Sequence, residues 1–275
     1  MLTYDLNRKI AATLAVGLAV GILTLGTLVY AAGSGGTQAT KVASAAMRTT
    51  SVGEHSEAVS RLVAAADDGD LRAQWRLAHM YLAGREVEQN PRRALDYFTR
   101  IADQNADMDP RSADGKLVAD SFVNLASLYA SGVEGDPGLR NDAVAAGLYT
   151  HAATYFGEPV AQYRLGLMYA DGRGVQKNVR RAISWLLLAA RKQSVEAQGE
   201  LGRLLVRRGD EATESSALRR TGLMWLEVAR RFADPATQAW IIDAHESAFA
   251  AASAEDAAGA VSRADHWIAE NSHTN

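Results

Sequence analysis

The chain has 275 residues, 48% of them hydrophobic and 22% charged, which suffices for one extended domain or two compact ones. Lys and Arg number 29 against 32 Asp and Glu, a net charge of −3 with no basic block, so nothing draws the chain to nucleic acid or to anionic lipid. Cysteine is absent, which excludes disulfide stapling, thiol catalysis, a Cys-based zinc site and a lipidated N-terminal Cys.

Residues 1–32 read as an export signal. Residues 10–32 (IAATLAVGLAVGILTLGTLVYAA) carry no charge, and the next charged residue is Lys41. A helix of 23 residues rises about 35 Å, enough to cross a hydrocarbon core of about 30 Å. Arg8 and Lys9 precede it, so the positive-inside rule keeps the N-terminus in the cytoplasm and exports the remainder of the chain. Two readings stand: a retained inner-membrane anchor, or a signal peptide cleaved after Ala31, for which Val29-Tyr30-Ala31 has the right spacing. Residues 33–57 are dominated by Gly, Ser, Thr and Ala and read as a flexible tether. Without residues 1–31 the chain holds 27 bases and 31 acids, a net charge of −4.

Residues 58–270 read as a repeat, with a short tail at 271–275. The frame is Leu, small, any, apolar, Tyr, any, any, Gly. It occurs at Leu77-Ala78-Met80-Tyr81-Gly84, Leu125-Ala126-Leu128-Tyr129-Gly132 and Leu165-Gly166-Met168-Tyr169-Gly172, with a degenerate copy at Leu201-Gly202-Leu204-Leu205. A second helical signature comes after each, at 94–98, 146–149, 182–186 and 222–226, and a lone one precedes them at 58–66. Leu, Met and Tyr at i, i+3 and i+4 form one apolar stripe on a helix. The small residue after Leu lets a neighbouring backbone come close, Trp185 fills the space between hairpins, and Trp225 stands with it among the repeat-defining residues. Gly172 suits a left-handed C-cap. A hairpin alone exposes its apolar face, and stacking buries it. Helices over 235–250 and 253–270 would cap the C-terminal end, with Pro235 in the first turn of one and Ser253 as N-cap of the other.

The frame is similar to Sel1-like repeats, variable-length relatives of the tetratricopeptide repeat. Ala161 to Val175 (AQYRLGLMYADGRGV) matches at every defining position, including Gly174, whereas Glu86 and Glu134 stand where the second glycine belongs. Within that group the chain resembles the periplasmic exopolysaccharide-production negative regulators of alphaproteobacteria, the ExoR family. The similar segments are Ala73-Gln74-Trp75, YTHAATYFG at 149–157, Ala161–Gly166 and GLMWLEVAR at 222–230. The resemblance implies an all-α, right-handed solenoid of four hairpins in the periplasm. It also implies action without catalysis, by binding the periplasmic domain of a sensor histidine kinase. An envelope scaffold for secretion or polar assembly is the alternative, favoured by a retained anchor.

In tetratricopeptide-type solenoids the first helices line the concave face. Positions two before and two after the frame Leu would point there: Trp75, Val123, Tyr163 and Gly199, then His79, Ser127, Leu167 and Arg203. Trp75 and Tyr163 would either clamp a partner or pack between neighbouring first helices. Three irregular connections stand out, at 104–114, from Asp136, and at Arg207–Arg220 (RRGDEATESSALRR), as solvated loops, protease sites or contact points.

No catalytic, cofactor or metal motif emerges. His245-Glu246 lacks the second ligand of H-E-x-x-H, and Gly172-Arg173-Gly174 comes after a helix rather than a strand, so it is no nucleotide loop. His79 is the histidine best placed to sense pH, because imidazole ordinarily titrates between about pH 5 and 8. Replacing it, His79→Gln, is expected to abolish any acid-dependent loss of partner binding, and an unchanged pH profile would sink that role.

Overall fold

The computed structural model describes residues 57–133, 136–211 and 216–271. A first helix, α1, covers 57–67. Four hairpins come next: α2 (Leu71–Ala83) with α3 (Pro91–Asn105), α4 (Gly115–Ser131) with α5 (Asp142–Thr154), α6 (Pro159–Asp171) with α7 (Val179–Arg191), and α8 (Val195–Glu211) with α9 (Ser216–Phe232). Helices α10 (Ala239–Ala250) and α11 (Ala254–Asn271) end the described chain. From α2 to α10 each helix packs on the next in sequence, whereas α11 turns back onto α9. Apart from one isolated bridge, Val133 to Asp136, all regular structure among the described residues is helical. The expected signal or anchor segment and nearly all of the tether lie outside the described residues. Among the described residues no helix is long and apolar enough to cross a membrane.

The frame positions do what their spacing implies. Leu77, Leu125, Leu165 and Leu201 are buried, as are Phe98 and Ile101 from the facing helix. Each such side chain contributes about 1.5–3 kcal/mol relative to exposure. The small residues set the distance between helices. Ala78 and Ala126 are completely covered. A Cβ on Gly166 would lie 2.8 Å from Leu186 Cγ, and one on Gly202 would lie 2.8 Å from the Gly222 carbonyl oxygen. Trp225 is buried and meets Trp267 of α11 edge-on at 5.1 Å, whereas Trp185 is only half-buried against the core of the preceding hairpins.

Asparagines close the turn inside the first three hairpins. The side-chain oxygens of Asn90, Asn141 and Asn178 accept from first-turn N–H groups of α3, α5 and α7. Their own N–H groups donate to the carbonyls of Tyr81, Tyr129 and Tyr169 at 2.8–2.9 Å. Tyr81 and Tyr169 also receive Arg93 and Arg181, each guanidinium lying over the ring and bonding the hydroxyl. Glutamines tie one hairpin to the next. The amide Nε2 groups of Gln74, Gln162 and Gln198, all buried, donate to the carbonyls of Ala66, Ala153 and Ala190 at the end of the preceding helix.

Three sequence expectations change. Pro235 sits in a turn organised by Asp234, whose carboxylate accepts from Ala236 N–H and Thr237 Oγ1, and α10 starts only at Ala239. Most of 207–220 is helical, because α8 runs to Glu211 and α9 begins at Ser216. Gly209 permits this by admitting Arg219, whose Cβ would be 2.8 Å from a Cβ there. The loop at 104–114 is anchored rather than solvated throughout: α3 continues to Asn105, His151 Nε2 lies 2.9 Å from the Ala106 carbonyl, Tyr155 Oη donates to that of Asp107, and Arg72 pairs with Asp114 at 2.8 Å. Ser253 does cap α11, its hydroxyl accepting from Asp256 N–H.

Gly84 (φ 64°) and Gly172 (φ 80°) end α2 and α6 in the left-handed region, as expected. Gly174 has φ 67°, and a Cβ there would overlap the Asp142 carbonyl. Glu86 takes the matching place in the first hairpin with φ 63°, a conformation unfavourable to an L side chain. Gly174→Ala should therefore lower stability by roughly 2 kcal/mol or more, while Glu86→Gly should raise it by up to about 1 kcal/mol. Urea unfolding midpoints of both variants measure this, and a shift of the same sign in both would contradict the account.

Candidate partner-binding face

Helices α2, α4, α6 and α8 carry the positions expected on the concave face. On α2, Trp75 Nε1 donates to Asp120 Oδ2 of α4 at 2.7 Å, and His79 Nε2 meets the same oxygen at 2.7 Å. The two rings lie 4.4 Å apart, and His79 also meets Phe98 edge-on. Both remain half-exposed while bridging the first two hairpins. Clamp and packing are therefore not exclusive for Trp75: its N–H is engaged, but part of its ring still faces outward. Asp120 lies outside the repeat frame, and the frame gave no signal for it.

Further along, Val123 and Leu167 are half-buried and Ser127 is exposed. Ser127 lies on the same cavity wall as Tyr149, whose hydroxyl pKa burial pushes up. A cavity of about 240 Å³ opens there between α4, α5 and α6, with Arg164, Leu167, Asp171 and Arg173 on its walls. Tyr163 is half-buried beneath the Arg164 guanidinium, 5.6 Å from its ring centre, and burial raises its hydroxyl pKa too. Arg203 is exposed and held bidentately by Glu200 at 2.8 and 3.0 Å. Gly199 departs from its expected place. A Cβ there would meet Ile241 and Trp240 at 3.0–3.1 Å, so α10 covers this stretch of the face. The open part runs from α2 to α6 and reappears at Arg203.

The segment 149–157 forms an aromatic cluster. Phe122, His151, Tyr155 and Phe156 lie within 4.5–5.9 Å of one another ring to ring in five pairs. In the second hairpin Phe122 occupies the place of the linking glutamine, and this cluster replaces the amide bond. It also positions His151 and Tyr155 to hold the inserted loop.

A buried ionic group lies on α9. Glu227 is 4% exposed and accepts from Arg230 at 2.9 Å, Arg231 at 2.8 Å and His245 of α10 at 2.7 Å. Burial alone would push its carboxyl up. Hydrogen bonds from the two arginines, with the charges of Arg230 and His245, outweigh that and hold it at about 2. Burial pushes the His245 imidazole down and prevails over the attraction of Glu227, whose charge two guanidiniums already balance. The sequence shows Glu227, Arg230 and Arg231 at i, i+3 and i+4, but only the fold shows that Glu227 is buried beneath the two more exposed guanidiniums. Among the described residues no group of three or more His, Asp or Glu side chains is placed to hold a metal ion.

The Sel1 repeat family profile matches residues 71–105 and 159–194. A protein of Rhizobium leguminosarum bv. viciae named exopolysaccharide production negative regulator is 30% identical over 220 residues, 80% of this chain and 78% of that one. Its namesake in Rhizobium meliloti (strain 1021) is 29% identical over 219 residues, with the same coverage. Among solved structures, a Sel1 repeat protein from Oxalobacter formigenes aligns with 52% of this chain and 95% of its own, at 30% identity and a TM-score of 0.41.

Glu227 gives the fold an acid limit. Its folded pKa lies below the unfolded value near 4.5, so its contribution is complete above about pH 4.5 and is lost as pH falls toward 2. Glu227→Gln should cost on the order of 2–3 kcal/mol at pH 7. The gap between wild type and variant should narrow steadily in unfolding curves taken from pH 5 down to pH 3. A gap independent of pH would contradict the ionic account.

Proposed function

The chain belongs to the Sel1-repeat family of exopolysaccharide production negative regulators, and on that premise we propose that it works without catalysis, as a periplasmic protein that binds the sensing domain of a membrane histidine kinase and holds its signalling off. The relatives are named for negative control of exopolysaccharide production. Restraint of that kind requires a surface and no reacting groups. The observation that carries the reading is the open stretch of first helices, where Trp75, His79, Val123, Ser127, Tyr163 and Leu167 are half-buried or exposed, with Ser127 and Leu167 lining a cavity of about 240 Å³. Half-buried aromatic anchors ringed by polar groups are the usual makings of a protein contact. Family likeness, not helix geometry, supports the kinase as the partner.

An envelope scaffold for secretion or polar assembly is the second reading. The uncharged run 10–32 favours it, because a retained anchor would hold the repeats at the inner membrane.

Cross-linked affinity capture of the full-length chain from its own cell envelope, with mass spectrometry as the readout, decides between them. Enrichment of a histidine kinase, lost in a Trp75→Glu, Tyr163→Glu double variant of unchanged helical content, is the expected result. Enrichment of secretion or assembly machinery without a kinase would overturn it in favour of the scaffold. The N-terminal peptide of the same sample reports whether Ala32 begins the mature chain.

A further inference from the structure

The arginine pairs at 207–208 and 219–220 flank a connection in the sequence, and the fold brings one member of each, Arg207 and Arg219, to a common cavity. Through the close approach at Gly209, Arg207 and Arg219 come to line one cavity of about 340 Å³ between α8, α9 and α10. Arg203 is the third guanidinium there, with Asp210, Ser247 and apolar side chains completing the wall. Arg203 and Arg207 are four residues apart on α8 and so share a face.

Two of the three guanidiniums have carboxylate neighbours, on the same helix or across the hairpin. Glu200 balances Arg203 at 2.8 Å, and Asp210 balances Arg219 at 3.3 Å. Arg207 is exposed on the wall of this cavity. Arg219 donates to the Ala251 carbonyl at 2.6 Å, yet its Nε is buried with no acceptor among the described residues. A buried charged donor without a partner is costly. The cavity lining therefore carries three guanidiniums against one carboxylate, with a buried donor unused among the described residues, in a chain whose net charge is −3. Guanidinium forks match carboxylates in geometry as well as charge. Arg203 also belongs to the first-helix face, so the cavity stands at the end of that face, beside the stretch that α10 covers.

We propose that this pocket receives an aspartate or glutamate side chain of the protein partner and fixes one end of the docked segment. The inference rests on the partner-binding reading above and names the chemistry it meets at this end. A free phosphate would present a similar oxyanion, so the test separates the two.

The test is titration calorimetry of the full-length chain in mild detergent, with octaglutamate, octalysine and inorganic phosphate as probes. Octaglutamate is expected to bind and octalysine not. Arg207→Gln should weaken octaglutamate about tenfold, as loss of one charge-assisted bond does, without changing thermal unfolding. The same exchange at Arg180, on α7, should be silent. Absence of octaglutamate binding, or equal binding by the Arg207→Gln variant, overturns the proposal. Phosphate binding as tight as the peptide overturns the partner assignment in favour of a free anion. In the envelope capture, a kinase retained equally by wild type and Arg207→Gln would overturn this inference and leave the proposed function standing. Capture without a kinase would remove the proposed kinase and leave the peptide titration to decide the pocket.

Discussion

The separation between the two helices of a hairpin governs the rest of the molecule. It is set by the residue after each frame leucine, Ala78, Ala126, Gly166 or Gly202, which has little or no side chain to hold the facing helix away. With the helices that close, the turn asparagines can reach both the tyrosine carbonyl and the next helix. With the hairpins so shaped, a single buried amide from Gln74, Gln162 or Gln198 spans the joint to the preceding helix. Each joint uses only neighbours, so the whole is a chain of local agreements, in keeping with repeat architectures.

That locality explains what could be read from the sequence. Frame leucines, glycine caps and the small residues are recorded within one helix or one turn, where periodicity and backbone sterics act directly. The lone helix before the first repeat and the two after the last were legible for the same reason. What escaped depends on residues far apart. Asp120 gathers Trp75 and His79 across 45 and 41 positions. Gly199 looked like an open groove position, but Trp240 and Ile241 cover it from two helices further on. The Gly and Ser residues of 207–220 read as a break in regular structure. Gly209 instead allows two long helices to meet, so the irregular part is far shorter than composition implied. The Ala-Gln pairs recur visibly at 73–74, 161–162 and 197–198, and their spacing was the available signal for the amide links.

The polar groups on the first-helix face differ in how fully they are engaged. Asp120 is shared by two donors, and Arg203 is held twice by Glu200. Such groups keep their places before any partner arrives, which limits the ordering cost of association. The aromatic cluster around His151 does the same for the inserted loop, converting extra chain length into a fixed feature of the second hairpin.

At the far end, α11 folds back on α9 and sets Trp267 against Trp225, while Gln193 Nε2 donates to the Asn271 carbonyl. Part of the apolar surface of α9 is thereby covered by α11. Descendants of this chain could gain length by duplicating a unit between existing ones, where amide links and small-residue seams offer compatible joints on both sides. The repeat number is thus free to evolve from within.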